Sequence, residues 1–301
     1  MKKDLLGLKD LSADEIMTIL ENARKMKEVV LSDNKKINNL SGRTVVTLFY
    51  ENSTRTRVSF ELAAEYMGAN VSNITASGSS VAKGETLIDT AKTIDAMGTD
   101  IIVMRHGSSG APNLIANEVK ASVINAGDGM HEHPTQALLD LYTILEKKGK
   151  FEGLKVAIVG DIYHSRVARS NIYGLKKLGA EVSLGGPSTL IPKGIDKMGV
   201  KVFRSVQEAM IDADVVMGLR IQLERQKSGL FPSLGEYSRF FGVDTKRMCF
   251  AKDDAIVMHP GPVNRGVEFS SELIDSDMSC INEQVTNGVA VRMSVMDWLL
   301  N

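Results

Sequence analysis

Val45-Val46-Thr47-Leu48-Phe49-Tyr50-Glu51-Asn52-Ser53-Thr54-Arg55-Thr56-Arg57 is the stretch on which the fold turns. Val45 to Phe49 reads as a buried strand. It stops at a polar segment from which a helical pattern starts: Val58, Leu62 and Tyr66 recur on one face, Arg57 and Glu61 stand four apart, and Gly68 ends the run. Ser53 is placed to cap that helix. The hydroxyls and guanidinium groups thus fall at a helix N-terminus, where unpaired N–H groups and the positive end of the helix dipole favour an anion. Ser53, Thr54 and Thr56 add hydroxyl donors, and Arg55 adds a planar fork suited to phosphate. An ordinary capped helix with a solvated arginine is the plainer reading. Five consecutive polar donors directly after a buried strand favour a phosphate site instead. The Gly-x-x-x-x-Gly-Lys loop is missing, so the bound group need not belong to a nucleotide.

Working outward, strand and helix alternate. Residues 12–30 read as an amphipathic helix with Ser12 as cap and Glu15 completing a capping box. After the opening element come an alternating strand at 71–75, a polar loop at 76–84 and a helix at 85–97. A strand at 101–104, a loop with Arg105 and His106, a short helix near Pro112, a strand at 122–125 and a loop at 126–133 follow. A helix at 134–147 then starts with Pro134 at its first position. The run Lys147-Lys148-Gly149-Lys150 closes this series, and a second opens with the strand 155–160. Its further strands are expected at 181–184, 200–203, 215–218 and 255–258. Val289, Met293, Met296 and Leu300 give the final stretch a helical spacing that suits packing back on the first domain. The expected fold is α/β: two doubly wound domains, each a parallel sheet covered by helices, with the active site in the cleft between them. The boundaries predicted are 1–148 plus a C-terminal helix at 284–301, and 149–283.

Composition narrows the function classes. The 301 residues are 43% hydrophobic and 24% charged, as expected of a globular chain long enough for two domains. A net charge of -1 with scattered Lys and Arg gives no electrostatic footprint for nucleic acid or an anionic membrane. No segment reaches membrane-spanning length, and Met1-Lys2-Lys3-Asp4 leads into a charged helical pattern rather than an apolar signal core. Cys249 and Cys280 make neither a metal spacing nor a disulfide framework, which fits a reducing cytoplasm.

Ligands of such sheets bind beyond the carboxyl ends of the strands. The residues there are Ser53 to Arg57, Arg105, His133 with Gln136, Arg166, Arg220 with Gln222, and His259-Pro260-Gly261-Pro262. Many are cationic, so a strongly anionic substrate pair is expected. Val159-Gly160-Asp161 with Ser165-Arg166 imitates a dinucleotide fingerprint. Its second and third glycines are missing, and Tyr163, His164 and Arg166 would crowd a pyrophosphate. Arg166 opens a helix and is either a carboxylate-binding fork or a surface arginine. His131-Glu132-His133 suggests a metal pair but has no further ligand cluster, and His133 before Pro134 also suits a structural loop. Gln136, one turn into the helix, points to another use: with His133 it offers two neutral side chains to one small polar group. A neutral imidazole polarises a carbonyl without delivering a full charge.

Taken together, Ser53-Thr54-Arg55-Thr56-Arg57, His133-Pro134-Thr135-Gln136 and His259-Pro260-Gly261-Pro262 resemble the aspartate and ornithine carbamoyltransferases, in order and spacing, over essentially the whole chain. Arg220-Ile221-Gln222-Leu223-Glu224-Arg225 is similar to the aspartate-binding segment, whereas the Ser-Met-Gly and His-Cys-Leu-Pro segments of the ornithine enzymes are absent. The resemblance implies carbamoyl transfer from carbamoyl phosphate to L-aspartate, the committed step of pyrimidine synthesis, in the cytoplasm and without metal or other cofactor. It assigns the phosphate to Ser53, Thr54, Arg55 and Thr56 with Arg105, and the carbonyl oxygen to Thr56, Arg105 and His133. Gln136 and the backbone around Pro260, Gly261 and Pro262 would take the carbamoyl amino group; Arg166, Arg220 and Gln222 would hold the aspartate carboxylates. Ser79 and Lys83 would come from a neighbouring subunit of a homotrimer, and a regulatory chain is a further candidate partner. The alternatives are an ornithine-type or other carbamoyl acceptor, and a non-catalytic anion-binding scaffold. Arg55, Lys83, Arg105, His133 and Gln136 argue against the scaffold, which would have no use for all of them.

Overall fold

The computed structural model describes residues 2–75, 84–222 and 233–301, so the expected site residues Ser79 and Lys83 lie outside the described part. The chain divides into two compact units, one of Met1–Leu139 with Thr286–Asn301 and one of Asp140–Val285.

In the first unit the elements are α1 (Ala13–Leu31), β1 (Thr44–Phe49), α2 (Thr54–Tyr66), β2 (Asn70–Thr75), α3 (Leu87–Ala96), β3 (Ile101–His106), α4 (Ala111–Ala116), β4 (Ser122–Asp128) and α5 (Pro134–Lys148), which continues into the second unit. The capping box of α1 forms: Ser12 Oγ accepts from the Glu15 N–H at 3.1 Å, and the Glu15 carboxylate accepts from the Ser12 N–H at 2.7 Å. Ile16, Ile19, Leu20, Ala23 and Met26, at helical spacing, are buried. The four strands are parallel in the order β2-β1-β3-β4, and Val45 to Phe49 of β1 are all buried. Val46, Leu48, Ile102, Met104 and Val123 form the centre of the core on one face, against Ile94 and Ile115.

Two strands run further than their residues suggest. Arg105 and His106, expected in a loop, belong to β3, and β4 continues to Asp128. Pairing resumes past an irregularity at Met104, with His106 opposite Asp128. Ladder hydrogen bonds outweigh the low strand preference of charged side chains there.

The second unit contains β5 (Lys155–Val159), α6 (Arg166–Lys177), β6 (Glu181–Gly185), β7 (Lys201–Phe203), α7 (Val206–Met210), β8 (Val215–Gly218), α8 (Leu234–Phe241), β9 (Ile256–Met258) and α9 (Ser271–Ile274). Its five strands are parallel, in the order β7-β6-β5-β8-β9. Phe269, fully buried, fills the space over Gly218, where a Cβ would stand 2.5 Å from its ring. Burial of a ring of that size contributes about 1.5–3 kcal/mol.

α10 (Ile281–Leu300) starts in the second unit and enters the first at Thr286. There Asp297 accepts from Asn22 at 3.0 Å and Asn39 at 2.8 Å, and Ser294 Oγ donates to the Ile19 carbonyl at 2.7 Å. Arg292 donates to Ser59 Oγ at 2.9 Å and lies 4.9 Å over the Phe60 ring, which fixes the helix against α2. Among the described residues no helix is long and apolar enough to cross a membrane.

Candidate active site

Each sheet reverses its strand order once, between β1 and β3 in the first unit and between β5 and β8 in the second. Chain segments leave in opposite directions at such a point, which opens a crevice at the strand ends. Ser53 to Thr56 and Arg105 lie at the ends of β1 and β3, and Arg166, Arg220 and Gln222 follow β5 and β8; His133 with Gln136 and Gly261 with Pro262 follow the edge strands β4 and β9.

In the first unit the Tyr50 N–H donates to the Arg105 carbonyl at 2.9 Å, tying the exit of β1 to the end of β3. Ser53 occupies the N-cap position of α2, but its side chain makes no capping hydrogen bond, contrary to the expectation from sequence. Its backbone, with φ -160 and ψ 86, departs from the usual capping conformation. The cap therefore does not consume the donors of that turn, as suits an anion site. Thr54 and Arg55 are exposed, while Ser53 and Thr56 are half-buried. Arg57 pairs with Glu61 at 3.7 Å, one turn along.

Arg105 is oriented from both sides. Its Nε lies 3.4 Å from Glu51 Oε2, and its Nη1 donates to the Ala126 carbonyl at 3.3 Å. The sequence assigns Glu51 no role of its own; here it stands beside the guanidinium and helps to aim it.

His133 and Gln136 are both buried at the start of α5, where the His133 carbonyl accepts from the Gln136 N–H at 3.1 Å and the Ala137 N–H at 3.2 Å. The run His131-Glu132-His133 points three ways. His131 Nδ1 stands 3.0 Å from Asp128 Oδ2, the Glu132 carboxylate accepts from the Leu8 and Lys9 N–H groups, and His133 immediately precedes α5, its carbonyl bonded to the first turn.

In the second unit the glycine of the dinucleotide-like run has a packing role. Gly160, with φ 126, has the Leu219 carbonyl oxygen 2.7 Å from where a Cβ would stand, so its glycine lets two strand exits approach. Asp161, fully buried, accepts from the His164 N–H at 3.2 Å and from the Gln222 N–H at 3.5 Å, and its oxygens lie 2.9 and 3.0 Å from His164 Nδ1. Gln222 Nε2 in turn donates to the His164 carbonyl at 3.4 Å. Ser165 caps α6 through the Ala168 N–H, and Arg166, its first residue, is only 4% exposed. That burial removes the surface-arginine reading.

Arg220 is half-buried at the β8 exit. The next residue, Ile221, donates its N–H to Glu268 Oε1 at 2.8 Å; Glu268 also accepts from the Asn264 N–H at 2.8 Å and Asn264 Nδ2 at 2.7 Å. Burial, only partly offset by these bonds, pushes the Glu268 carboxyl above its ordinary value. Glu268 so ties the Arg220 segment to the segment that follows Pro262. His259 Nδ1 accepts from the Gly261 N–H at 2.9 Å, and the Gly261-Pro262 peptide is cis. Asp161 and His164 lie within a run that the sequence presents only as a poor dinucleotide fingerprint, with His164 an obstacle to a pyrophosphate. Glu268 falls in a stretch without periodicity, so no pattern marked it.

The first unit thus offers a helix N-terminus with two arginines, a buried imidazole and an amide. The second offers two arginines and a glutamine on a braced loop. Family models match both parts: residues 3–146 match the carbamoyl-P binding domain, and residues 152–299 the Asp/Orn binding domain, of aspartate/ornithine carbamoyltransferases. The chain belongs to the aspartate/ornithine carbamoyltransferase family. Within it the chain is 71% identical, over 98% of its length and 94% of the relative's, to the aspartate carbamoyltransferase catalytic subunit of Acetivibrio thermocellus. It is 62% identical to that of Caldanaerobacter subterraneus, over 98% of this chain and 97% of that one. Among solved structures it is similar to aspartate transcarbamoylase from Trypanosoma cruzi in complex with carbamoyl phosphate and aspartate, at TM-score 0.88 and 31% identity over 99% and 97% of the two chains. Ornithine carbamoyltransferase from Pyrococcus furiosus gives TM-score 0.86 and 32% identity over 98% and 96%.

Proposed function

We infer that this chain transfers the carbamoyl group of carbamoyl phosphate to the amino group of L-aspartate, giving N-carbamoyl-L-aspartate and phosphate, the committed step of pyrimidine synthesis. The observation that carries this reading is the 71% identity, across nearly the whole chain, to an aspartate carbamoyltransferase catalytic subunit. Arg166 and Arg220 agree with it, because they suit a dicarboxylate and would repel the cationic side chain of ornithine.

The roles follow from the charges the reaction builds. The amine attacks the carbamoyl carbon, a C–N bond forms, and the bond to the bridging oxygen breaks. Negative charge grows on the carbonyl oxygen and on the departing phosphate, which can itself take the amine proton. Ser53, Thr54, Arg55 and Thr56 on the α2 N-terminus, with Arg105, hold the phosphate. Thr56, Arg105 and His133 face the carbonyl oxygen, where preorganised donors stabilise the transition state more than the substrate. Gln136, Gly261 and Pro262 orient the carbamoyl amino group, and Arg166, Arg220 and Gln222 bind aspartate. The working assembly proposed is a cytoplasmic homotrimer in which Ser79 and Lys83 of a neighbouring subunit complete each site, with a regulatory chain as a further candidate partner. Residues 1–148 with 284–301 form the carbamoyl phosphate domain of this reading, and 149–283 the aspartate domain.

Steady-state kinetics with carbamoyl phosphate and a panel of amino acids, with native mass measured on the same sample, tests it. Product is expected with L-aspartate; preferential turnover of ornithine would overturn the reading.

A further inference from the structure

The sheet of the first unit is extended at its β4 edge by the N-terminal segment. Leu5 forms a parallel bridge to Ile124, donating to the Val123 carbonyl and accepting from the Asn125 N–H, both at 2.9 Å. Asp4 Oδ1 accepts from the Val123 N–H at 2.7 Å, and Asn125 Nδ2 donates to the Leu6 carbonyl at 2.9 Å. Past Gly7 the segment meets Glu132. Its Oε2 accepts from the Leu8 N–H at 2.8 Å and its Oε1 from the Lys9 N–H at 3.3 Å.

Glu132 is 1% exposed and precedes His133 directly. Its own N–H donates to Asp128 Oδ1 at 3.1 Å, and its carbonyl accepts from the Asp128 N–H at 3.2 Å. Asp128, fully buried, also accepts from Asn125 Nδ2 at 2.8 Å and from the Gly110 N–H at 2.6 Å. The peptide leading into His133 is therefore fixed on one side through its main chain and on the other through a buried carboxylate. An apolar side chain would fasten a terminal segment without the desolvation cost of a buried acid. What the carboxylate adds is direction, since two N–H groups define where it stands and hence where the next residue begins.

We propose that Glu132, held by the Leu8 and Lys9 N–H groups, is a positioning residue for His133 and sets the imidazole against the carbamoyl oxygen. This role rests on the assignment of His133 to that oxygen. Gly7 supplies an independent handle, because a methyl group there would run into the Glu132 carboxylate and displace it without removing any polar group.

The test compares Glu132→Ala, Glu132→Gln, Gly7→Ala and His133→Ala as full-length proteins, each checked for native mass and circular dichroism. Misplacing a catalytic donor slows chemistry more than it weakens binding, so Glu132→Ala and Gly7→Ala should lower kcat about tenfold or more while moving the aspartate KM and carbamoyl phosphate affinity by about twofold or less. Glu132→Gln keeps a carbonyl oxygen for the Leu8 N–H and should recover most of kcat, whatever its thermal midpoint. If Glu132→Ala does not fold, Gly7→Ala decides. Folded Glu132→Ala and Gly7→Ala enzymes with wild-type kcat, beside a crippled His133→Ala, would overturn the positioning role alone. A His133→Ala enzyme with wild-type kcat would overturn it together with the assignment of His133.

Discussion

The Tyr50 N–H and the Arg105 carbonyl meet at 2.9 Å, at the point where the strand order of the first sheet reverses. A backbone bond thus joins these two strand ends, while Arg55, in the first turn of α2 beyond them, is an exposed side chain. Arg55→Ala should keep the wild-type thermal midpoint and lose a hundredfold or more in kcat, roughly the effect of deleting one transition-state donor. Steady-state kinetics beside a melting curve would check this; a variant unfolded at ambient temperature would make Arg55 structural.

Arg220 belongs to the other half. A charge-assisted bond to a carboxylate is worth about 1.5–3 kcal/mol, so Arg220→Ala should raise the aspartate KM by about ten- to a hundredfold. Carbamoyl phosphate affinity, measured by equilibrium titration, should hardly change. Equal loss for both substrates would count against the assignment.

Glu268 gives a pH signature. Burial raises its carboxyl pKa, so the native state holds that proton more tightly than the unfolded chain. Its contribution to stability is full below the ordinary glutamate value of 4.5 and is lost as pH rises through the native value. Glu268→Gln cannot ionise. The difference in thermal midpoint, wild type minus variant, should fall as pH rises from about 4.5. A flat difference would contradict the shift. The same variant should also raise the aspartate KM, since an amide cannot accept all three of the bonds from Ile221 and Asn264.

Lys83 tests the shared site of the proposed trimer. Lys83→Ala and Arg55→Ala enzymes should each be nearly inactive. Dissociation and reassembly of a mixture should restore part of the activity, because a wild-type Lys83 can then reach a subunit with a wild-type Arg55. Activity that stays at the parental level, with subunit exchange proven by mass, would place Lys83 in its own subunit's site.

How far the sequence leads depends on the kind of signal. Apolar runs such as Val45 to Phe49 announce buried parallel strands, and the Ser12–Glu15 capping box marks the start of α1 to the residue. Polar residues at strand exits can be enumerated as candidates in the same way. Their supports cannot. Glu51 beside Arg105, Asp161 beneath Gln222 and Glu268 behind Ile221 act through contacts between segments far apart in the chain, which leave no period or spacing to read. Arg105 and His106 show the converse error, since charge suggests a loop where pairing with β4 extends a strand.

The first unit is assembled from both ends of the chain: Met1–Leu139 is joined by Thr286–Asn301, and Ala290, Val291, Met293, Val295 and Met296 of that late segment are buried. During synthesis the second unit, continuous in sequence, emerges whole before the first has its last helix. A translating ribosome must release that helix before Arg292 can meet Ser59 on the helix that begins at Thr54. The unit made first is thus the last to be finished, and a nascent chain that ends at Val285 would carry every residue of the second unit beside a first unit still without its closing helix.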